Sequence, residues 1–375
     1  MKVDWLIVGA GFTGSVLAER LASQLGQQVL VVEQRPHIGG NAYDYYNEHG
    51  VLVHQYGPHI FHTNAQVVWD YLSQFTQWYR YYHRVLAVVD GNQIPLPFNL
   101  NSLYALFPAH YADKLTQQLL EQYGFNVKVP ILKIRQEARG DDLTFLADYI
   151  YQKVFYNYTL KQWNSTPEEL SPAVTARVPI YISRDDRYFQ DQFQGLPKFG
   201  YAVLFQRLLT HPHIKILLNT SYQEIKTEIQ YQRMVFTGAI DEFFEYQYGE
   251  LPYRSLDFQA IHTTQNQIQS VGTVNYPNEY HYTRTTEFKH LTGQQVYGST
   301  YIEEYPQPYQ RNKNIPYYPI PKTECRELYK KYQQEADKLS DRVIFAGRLA
   351  DYQYYNMDQA VARALSLFKR IISNT

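Results

Sequence analysis

Val3-Asp4-Trp5-Leu6-Ile7-Val8-Gly9-Ala10-Gly11-Phe12-Thr13-Gly14 carries the strongest structural signal in the chain. The apolar run reads as a buried strand, and glycines at GxGxxG spacing follow it without a gap. Gly9 permits a tight turn, Gly11 lets the main chain approach a pyrophosphate, and Gly14 lets the next helix pack on the strand. That helix is expected to run to about Leu25, and a second apolar strand, Val29–Val32, ends at Glu33, 19 residues after Gly14. Three glycines alone are a weak motif. The strand before them and the acid after them predict a βαβ dinucleotide site, with free helix amides facing the phosphates and Glu33 accepting from the adenosine ribose.

Farther along, Phe107, Tyr111, Leu115 and Leu119 recur four apart and predict a helix, and Leu146, Tyr149, Ile150 and Val154 predict another. Between Asn99 and about Arg177 the strand signal is poor, so a helical insertion is expected, with a loop over 166–172. Strand-like runs dominate from 179 to about 319, including 214–218, 234–237 and 283–286. A last buried strand, 343–346, leads into Gly347-Arg348, and Met357, Ala360, Val361, Ala364, Leu365 and Phe368 form the stripe of a final helix. The fold class read from this is α/β: a Rossmann-like domain assembled from both chain ends, a helical insertion domain and an antiparallel β-sheet domain. The expected units are 1–85, 196–240 and 341–375 for the dinucleotide; 100–180 for the helices; and 86–99, 181–195 and 241–340 for the sheet and connection.

At 375 residues the chain can hold two or three domains sharing a cleft. Its 45% hydrophobic and 19% charged residues exclude a disordered chain. A net charge of -1 gives no electrostatic footprint for nucleic acid or anionic lipid, so any phosphate must be gripped locally. The single cysteine, Cys325, excludes an internal disulfide and suits a reducing cytoplasm. The start of the chain does not read as a signal peptide, and no stretch approaches the ~18 apolar residues of a membrane span. His59 and His62, three apart in a turn without a carboxylate pair, are poor metal ligands, and no metal is expected. Asp185, Asp186 and Arg187 read as a solvated charged turn. The 37 tyrosines suit a cleft for sugars and phosphates, although most are expected to fill interfaces.

Glu33 is followed by Gln34-Arg35-Pro36-His37-Ile38-Gly39-Gly40-Asn41. A Gly-Gly turn just after the ribose acid resembles the flavoproteins with two dinucleotide-domain segments, such as amine oxidases. Gly39 and Gly40 would let the main chain lie against an extended cofactor. The late Gly347-Arg348 strand end and final helix resemble the same class, where the helix points its positive end at the flavin.

A more specific resemblance rests on eight segments spread over the chain. They are Gly39-Gly40-Asn41-Ala42-Tyr43; Tyr56-Gly57-Pro58-His59-Ile60-Phe61-His62-Thr63; Tyr158-Thr159-Leu160-Lys161-Gln162-Trp163; Phe193-Gln194-Gly195-Leu196-Pro197; Tyr253-Arg254-Ser255-Leu256; Tyr282-Thr283-Arg284 with Glu287; Pro316-Tyr317-Tyr318-Pro319; and Gly347-Arg348-Leu349-Ala350 followed by Tyr352, Tyr354, Tyr355, Asn356, Met357 and Asp358. In this order they resemble the UDP-galactopyranose mutase family, bacterial type.

The resemblance implies FAD, active when reduced, held by Gly9, Gly11, Phe12, Thr13, Gly14, Glu33, Gln34, Gly40, Asn41, His59, Ile60, Asn219, Thr220, Arg348, Tyr355, Asn356 and Met357. It implies a UDP-galactose site of His83, Tyr158, Thr159, Trp163, Arg177, Tyr188, Arg254, Asn275, Arg284, Tyr318 and Tyr354. Tyr158, Thr159 and Trp163 would grip the uridine. Arg177 and Arg284, the pair assigned the catalytic role, would clamp the diphosphate, where a guanidinium fork suits phosphate oxygens. The loop after Trp163 would be a lid that brings Arg177 onto the substrate. Implied partners are the substrate and a reductant, with a homo-oligomer compatible and neither nucleic acid nor membrane.

The implied reaction interconverts UDP-galactopyranose and UDP-galactofuranose for cell-surface polysaccharide, through a covalent adduct between the reduced flavin N5 and the anomeric carbon. No side chain stands out as a general acid or base. Three departures from the family pattern matter: Asn157 and Asn164 stand where glycine is frequent, Asn356 where Asp is frequent, and His83 where an Asn contacts substrate. Asn tolerates a left-handed backbone better than most residues, so a hinge at Asn164 is compatible. The rival readings are a flavin oxidoreductase of the amine oxidase-like class and a catalytically silent nucleotide-binding protein; paired arginines among tyrosines favour the anionic nucleotide sugar.

Overall fold

The structure is a computed structural model that describes residues 2–373. Lys2–Val8 is the central strand of a five-stranded, all-parallel sheet ordered Ile214–Leu217, Val29–Val32, Lys2–Val8, Gln230–Phe236, Val343–Phe345. Alternate side chains of the central strand enter different cores, as a two-faced parallel sheet requires. Trp5 and Ile7 pack with helices Phe12–Leu25 and Met357–Ser373, whereas Leu6 meets Leu30, Met234 and Phe236 on the other face. The first and last helices therefore lie on one side of one sheet, and chain ends more than 300 residues apart build a single unit.

Helix Phe12–Leu25 can sit so close to the strand only because Gly14 lacks a side chain: a Cβ there would stand 2.0 Å from the Gly9 carbonyl oxygen. Gly9 itself has φ 101°, in the region that favours glycine, and a Cβ on it would meet the Thr237 hydroxyl.

The second sheet has seven strands, ordered Tyr318–Pro319, Tyr253–Thr263, Ser299–Pro308, Arg284–Glu287, Thr273–Asn275, Val85–Val89, Asn92–Leu96. It is mixed, which corrects the expectation of a purely antiparallel sheet: Val85–Val89 runs parallel to Thr273–Asn275. Parallel neighbours need a long crossover, and here that crossover includes the whole helical insertion. No local turn signal could have revealed it.

In the insertion, helices Leu100–Leu106, Ala109–Tyr123, Ile131–Glu137 and Asp141–Ile150 bury Leu103, Leu115, Ile131 and Leu146 in one core. Three details differ from the sequence reading. Phe107 falls outside the helix expected from its spacing, because Pro108 separates Leu100–Leu106 from Ala109–Tyr123. The helix expected around Leu146–Val154 turns π-helical at Tyr151–Tyr156 before Asn157–Trp163. Val127–Val129 forms a strand antiparallel to Ile180–Ile182, in a region where none was expected. The 166–172 loop contains a short turn of helix, Pro167–Glu169, capped reciprocally by Thr166 and Glu169. Asp185 and Asp186 are not merely solvated: Asp185 accepts from Arg187, and Asp186 accepts from Asn99 and Asn101.

Leu17 is 0% exposed in the core beneath the parallel sheet. Leu17→Ala is expected to cost about 2–5 kcal/mol, read as a lowered urea midpoint.

Candidate active site

Strand ends of the parallel sheet open into a cavity of about 410 Å³. Gly9, Gly11, Phe12 and Thr13 line it, together with Glu33, Gln34, Arg35 and Thr220. Gly40, Asn41 and His59 line it too, as do Arg348, Tyr355, Asn356 and Met357. Met357 begins the final helix, so that helix's positive end faces the cavity.

Two observations fit an extended dinucleotide. The glycine loop and the Gly39-Gly40 turn pass so close that a Cβ on Gly40, with φ 56°, would stand 2.9 Å from Gly11 Cα. Arg35 donates one Nη2 bond to Asn41 at 2.8 Å and lies 4.4 Å from the Tyr56 ring centroid, yet its Nη1 is buried without a partner among the described residues. A buried unpaired guanidinium N–H beside a glycine cradle suits a phosphate or ribose oxygen. Glu33 is buried, and its Oε2 accepts the Ala10 amide at 2.9 Å, tying the acid to the glycine loop.

Beside Arg348 lies a cleft of guanidinium groups and phenol rings. Trp163, Tyr318 and Tyr354 contact one another, with ring centroids 5.9 Å (Trp163–Tyr318), 6.2 Å (Trp163–Tyr354) and 4.8 Å (Tyr318–Tyr354) apart. Arg177 lies 3.9 Å over Tyr354 and donates to the Tyr354 carbonyl and, at 2.5 Å, to Asn356 Oδ1. Arg348 lies 5.5 Å from Tyr318 and 5.3 Å from Tyr354. Arg284 donates twice to Glu304, at 3.0 and 2.8 Å. Burial alone would lower the Arg284 guanidinium, but Glu304 and the neighbouring phenols outweigh it and hold it raised.

Burial pushes the phenols of Tyr158, Tyr188 and Tyr318 up, against the pull of Arg284. They stay protonated and present donors to an anion. His83 is buried, its Nδ1 3.1 Å from the Tyr81 hydroxyl and its ring against Tyr188 and Phe189.

The structure thus gathers Tyr158, Trp163, Arg177, Tyr188, Arg284, Tyr318 and Tyr354, with His83 behind Tyr188. Asn275 pairs with Arg284 across neighbouring strands, and its Oδ1 is buried without a partner. Thr159 is buried on the Tyr158 helix. Arg254 is engaged elsewhere: buried, it donates to the carbonyls of Gln162 and Lys161 at the end of that helix. Among the cofactor candidates, three do not line the cavity. Gly14 packs helix on strand, Ile60 is buried with Val51 and Phe288, and Asn219 makes a left-handed turn whose amide donates to the Arg35 carbonyl. His59 donates its main-chain N–H to His54 and sets its own Nδ1 2.8 Å from the Gly57 carbonyl, while His62 pairs with Asp191 at 3.0 Å.

Sequence reasoning missed Arg35 and Glu304. Arg35 stood in plain view two residues after Glu33. Glu304 had no local signal, since only the register Arg284↔Glu304 brings it to its partner.

The profile of the UDP-galactopyranose mutase family matches residues 153–354, and that of a Rossmann-like NAD(P)-binding domain matches 7–75. A probable UDP-galactopyranose mutase of Klebsiella pneumoniae is 36% identical over 372 residues, 98% of this chain and 94% of that one. The chain belongs to the UDP-galactopyranose mutase family. Another relative is a dTDP-fucopyranose mutase of Escherichia coli, 34% identical over 98% of both chains. In fold the protein is similar to a reduced UDP-galactopyranose mutase, with TM-score 0.74, 17% identity and 100% and 96% of the two chains covered. A putative protoporphyrinogen oxidase from Exiguobacterium shares the fold at TM-score 0.63 and 12% identity, over 99% of both chains. The family and the Rossmann-like domain together imply a flavin cofactor. Among the described residues, no helix is long and apolar enough to cross a membrane, and no group of three or more His, Cys, Asp or Glu could hold a metal ion.

Burial, reinforced by Arg284 and then His62, holds the His83 imidazole down to about 3. An unfolded histidine takes up its proton near pH 6.5, so between the two values the unfolded chain binds more protons and stability falls as pH falls. His83→Asn is expected to make that fall shallower by up to ~1.4 kcal/mol per pH unit between about pH 6 and 4, measured from urea midpoints at stepped pH.

Proposed function

We propose that the protein is a mutase interconverting UDP-galactopyranose and UDP-galactofuranose on reduced FAD. The observation that carries the reading is the joining of two sites: Arg348 lines the dinucleotide cavity and also lies beside Tyr318 and Tyr354, where Arg177 converges. Arg177 and Arg348 donate to carbonyls and an amide, so their charge is free for an anion. FAD is favoured because a single cavity is lined both by Glu33 and Arg35 and by Asn356 and Met357 at the start of the final helix.

When bound, a reduced flavin supplies an electron-rich nitrogen for the anomeric carbon. The protein's share is orientation and charge. Arg177 and Arg284 hold the diphosphate as its bond to the sugar loosens, and the phenols of Tyr188, Tyr318 and Tyr354 donate to its oxygens, while Tyr158 stays on the uridine side. Trp163 offers a face for the uracil. Glu304 fixes the orientation of the planar Arg284 guanidinium through two bonds. The 164–179 segment is the lid in this reading: Asn164, at φ 53°, provides its pivot, and Arg177 is its cargo.

Anaerobic assay with UDP-galactofuranose and dithionite tests the function, with dTDP-fucopyranose run alongside because of the relative that bears that name. Isomerisation of the UDP sugar without stoichiometric loss of reductant is expected. Net oxidation of the sugar, or no turnover with fully reduced flavin, would overturn the reading. Arg177→Ala and Arg284→Ala are each expected to lower kcat/KM roughly 100-fold, with flavin content unchanged.

A further inference from the structure

We infer that Lys161 is a positioning residue, fixing the helix that carries Tyr158, Thr159 and Trp163 to the hairpin that carries Arg284. The inference rests on the nucleotide-sugar reading above and assigns a task to a lysine that makes no part of the clamp.

A lysine in a helix beside a phosphate site would ordinarily be read as a phosphate ligand. Here its ammonium is engaged otherwise: Nζ donates to the Tyr276 carbonyl at 2.7 Å and the Glu279 carbonyl at 2.5 Å. The 276–283 segment so held joins Thr273–Asn275 to Arg284–Glu287, and its ends are closed by the Tyr276 amide donating to the Thr283 carbonyl at 2.8 Å. Asn275 and Arg284 face each other at its base.

Two more contacts bind the same segment to the same helical run. Asn157 donates to Asn278 Oδ1 at 3.0 Å, and Asn278 donates to the Lys153 carbonyl at 2.9 Å. Lys153, Asn157 and Lys161 recur four apart, so they share one side of the run, while Thr159, Gln162 and Trp163 are buried on another. Tyr280 holds a left-handed φ of 50° in this segment, a conformation a bulky residue keeps only when its surroundings enforce it.

Burial lowers the Lys161 ammonium against the pull of the Glu279 charge, and among the described residues no carboxylate oxygen hydrogen-bonds to it. A half-buried cation held by main-chain carbonyls is directional: moving either carbonyl strands a charge. The distance between the nucleobase helix and the diphosphate arginine is thereby set before substrate arrives, which is preorganisation rather than contact.

The test compares UDP affinity, KM and kcat in the flavin-loaded protein and in Lys161→Met, which keeps the apolar stem. UDP Kd and KM are expected to rise about tenfold with kcat within twofold, and Lys161→Arg should recover most of the loss. Hydrogen exchange should quicken only over 157–163 and 276–283. UDP bound equally by Lys161→Met and the unaltered protein, or kcat lost with KM unchanged, overturns the inference. If Lys161→Met does not fold, Asn278→Ala carries the test from the exposed side, with a rise of about threefold expected and an unchanged Kd refuting it. Failure of the unaltered protein to bind UDP sinks the nucleotide-sugar reading and this inference with it, whereas equal binding by both proteins sinks the inference alone.

Discussion

Like charges have to be held together in this cleft, and that requirement organises much of the molecule. Two unit charges about 4 Å apart in a partly solvated site interact by roughly 4 kcal/mol, so guanidinium groups converge only when other groups compensate. Arg284 has a carboxylate partner in Glu304, which is 2% exposed. Arg177 and Arg348 have carbonyl oxygens, an amide oxygen and the faces of Tyr354 and Tyr318. Such partners orient a cation without cancelling its charge. Arg177 and Arg348 therefore keep their positive charge at the cleft, whereas Glu304 compensates that of Arg284.

Each scaffold element follows from that need. The mixed sheet supplies the rigid strand pair on which Glu304 faces Arg284 in register. Arg254 secures the end of helix Asn157–Trp163 by donating to its last carbonyls, where a cation also complements the helix dipole. Burial lowers that guanidinium, no acid among the described residues pairs with it, and the negative helix end serves as its counterpart. The final helix turns its amide end to the dinucleotide cavity and puts Asn356 where Arg177 can reach it.

The departures from the family pattern find physical reasons. Asn164 adopts φ 53° and ψ 38° at the end of its helix, the conformation for which glycine is the usual choice and Asn a tolerated one. Asn157 sits mid-run in ordinary helical geometry and uses its amide to hold Asn278, a contact glycine could not make. Asn356 offers Arg177 an oxygen without a charge, so this contact leaves the guanidinium charge uncompensated.

The opening strand, the glycine loop, Glu33 and the last amphipathic helix were legible in the sequence, because each depends on neighbours within a few residues: strand period, backbone sterics at glycine, helix period. Arg177 and Arg284 stood out in their motifs, yet nothing local said what Arg177, Arg254 or Lys161 would bond to. Those outcomes depend on which carbonyls and rings the chain brings near from up to 179 residues away. The parallel pairing of Val85–Val89, the partnership of Glu304 with Arg284 and the diversion of Arg254 to a helix end were decided only in three dimensions. Local sterics fix which elements form, whereas a long side chain's partner is set by the competition among all groups that the fold packs around it.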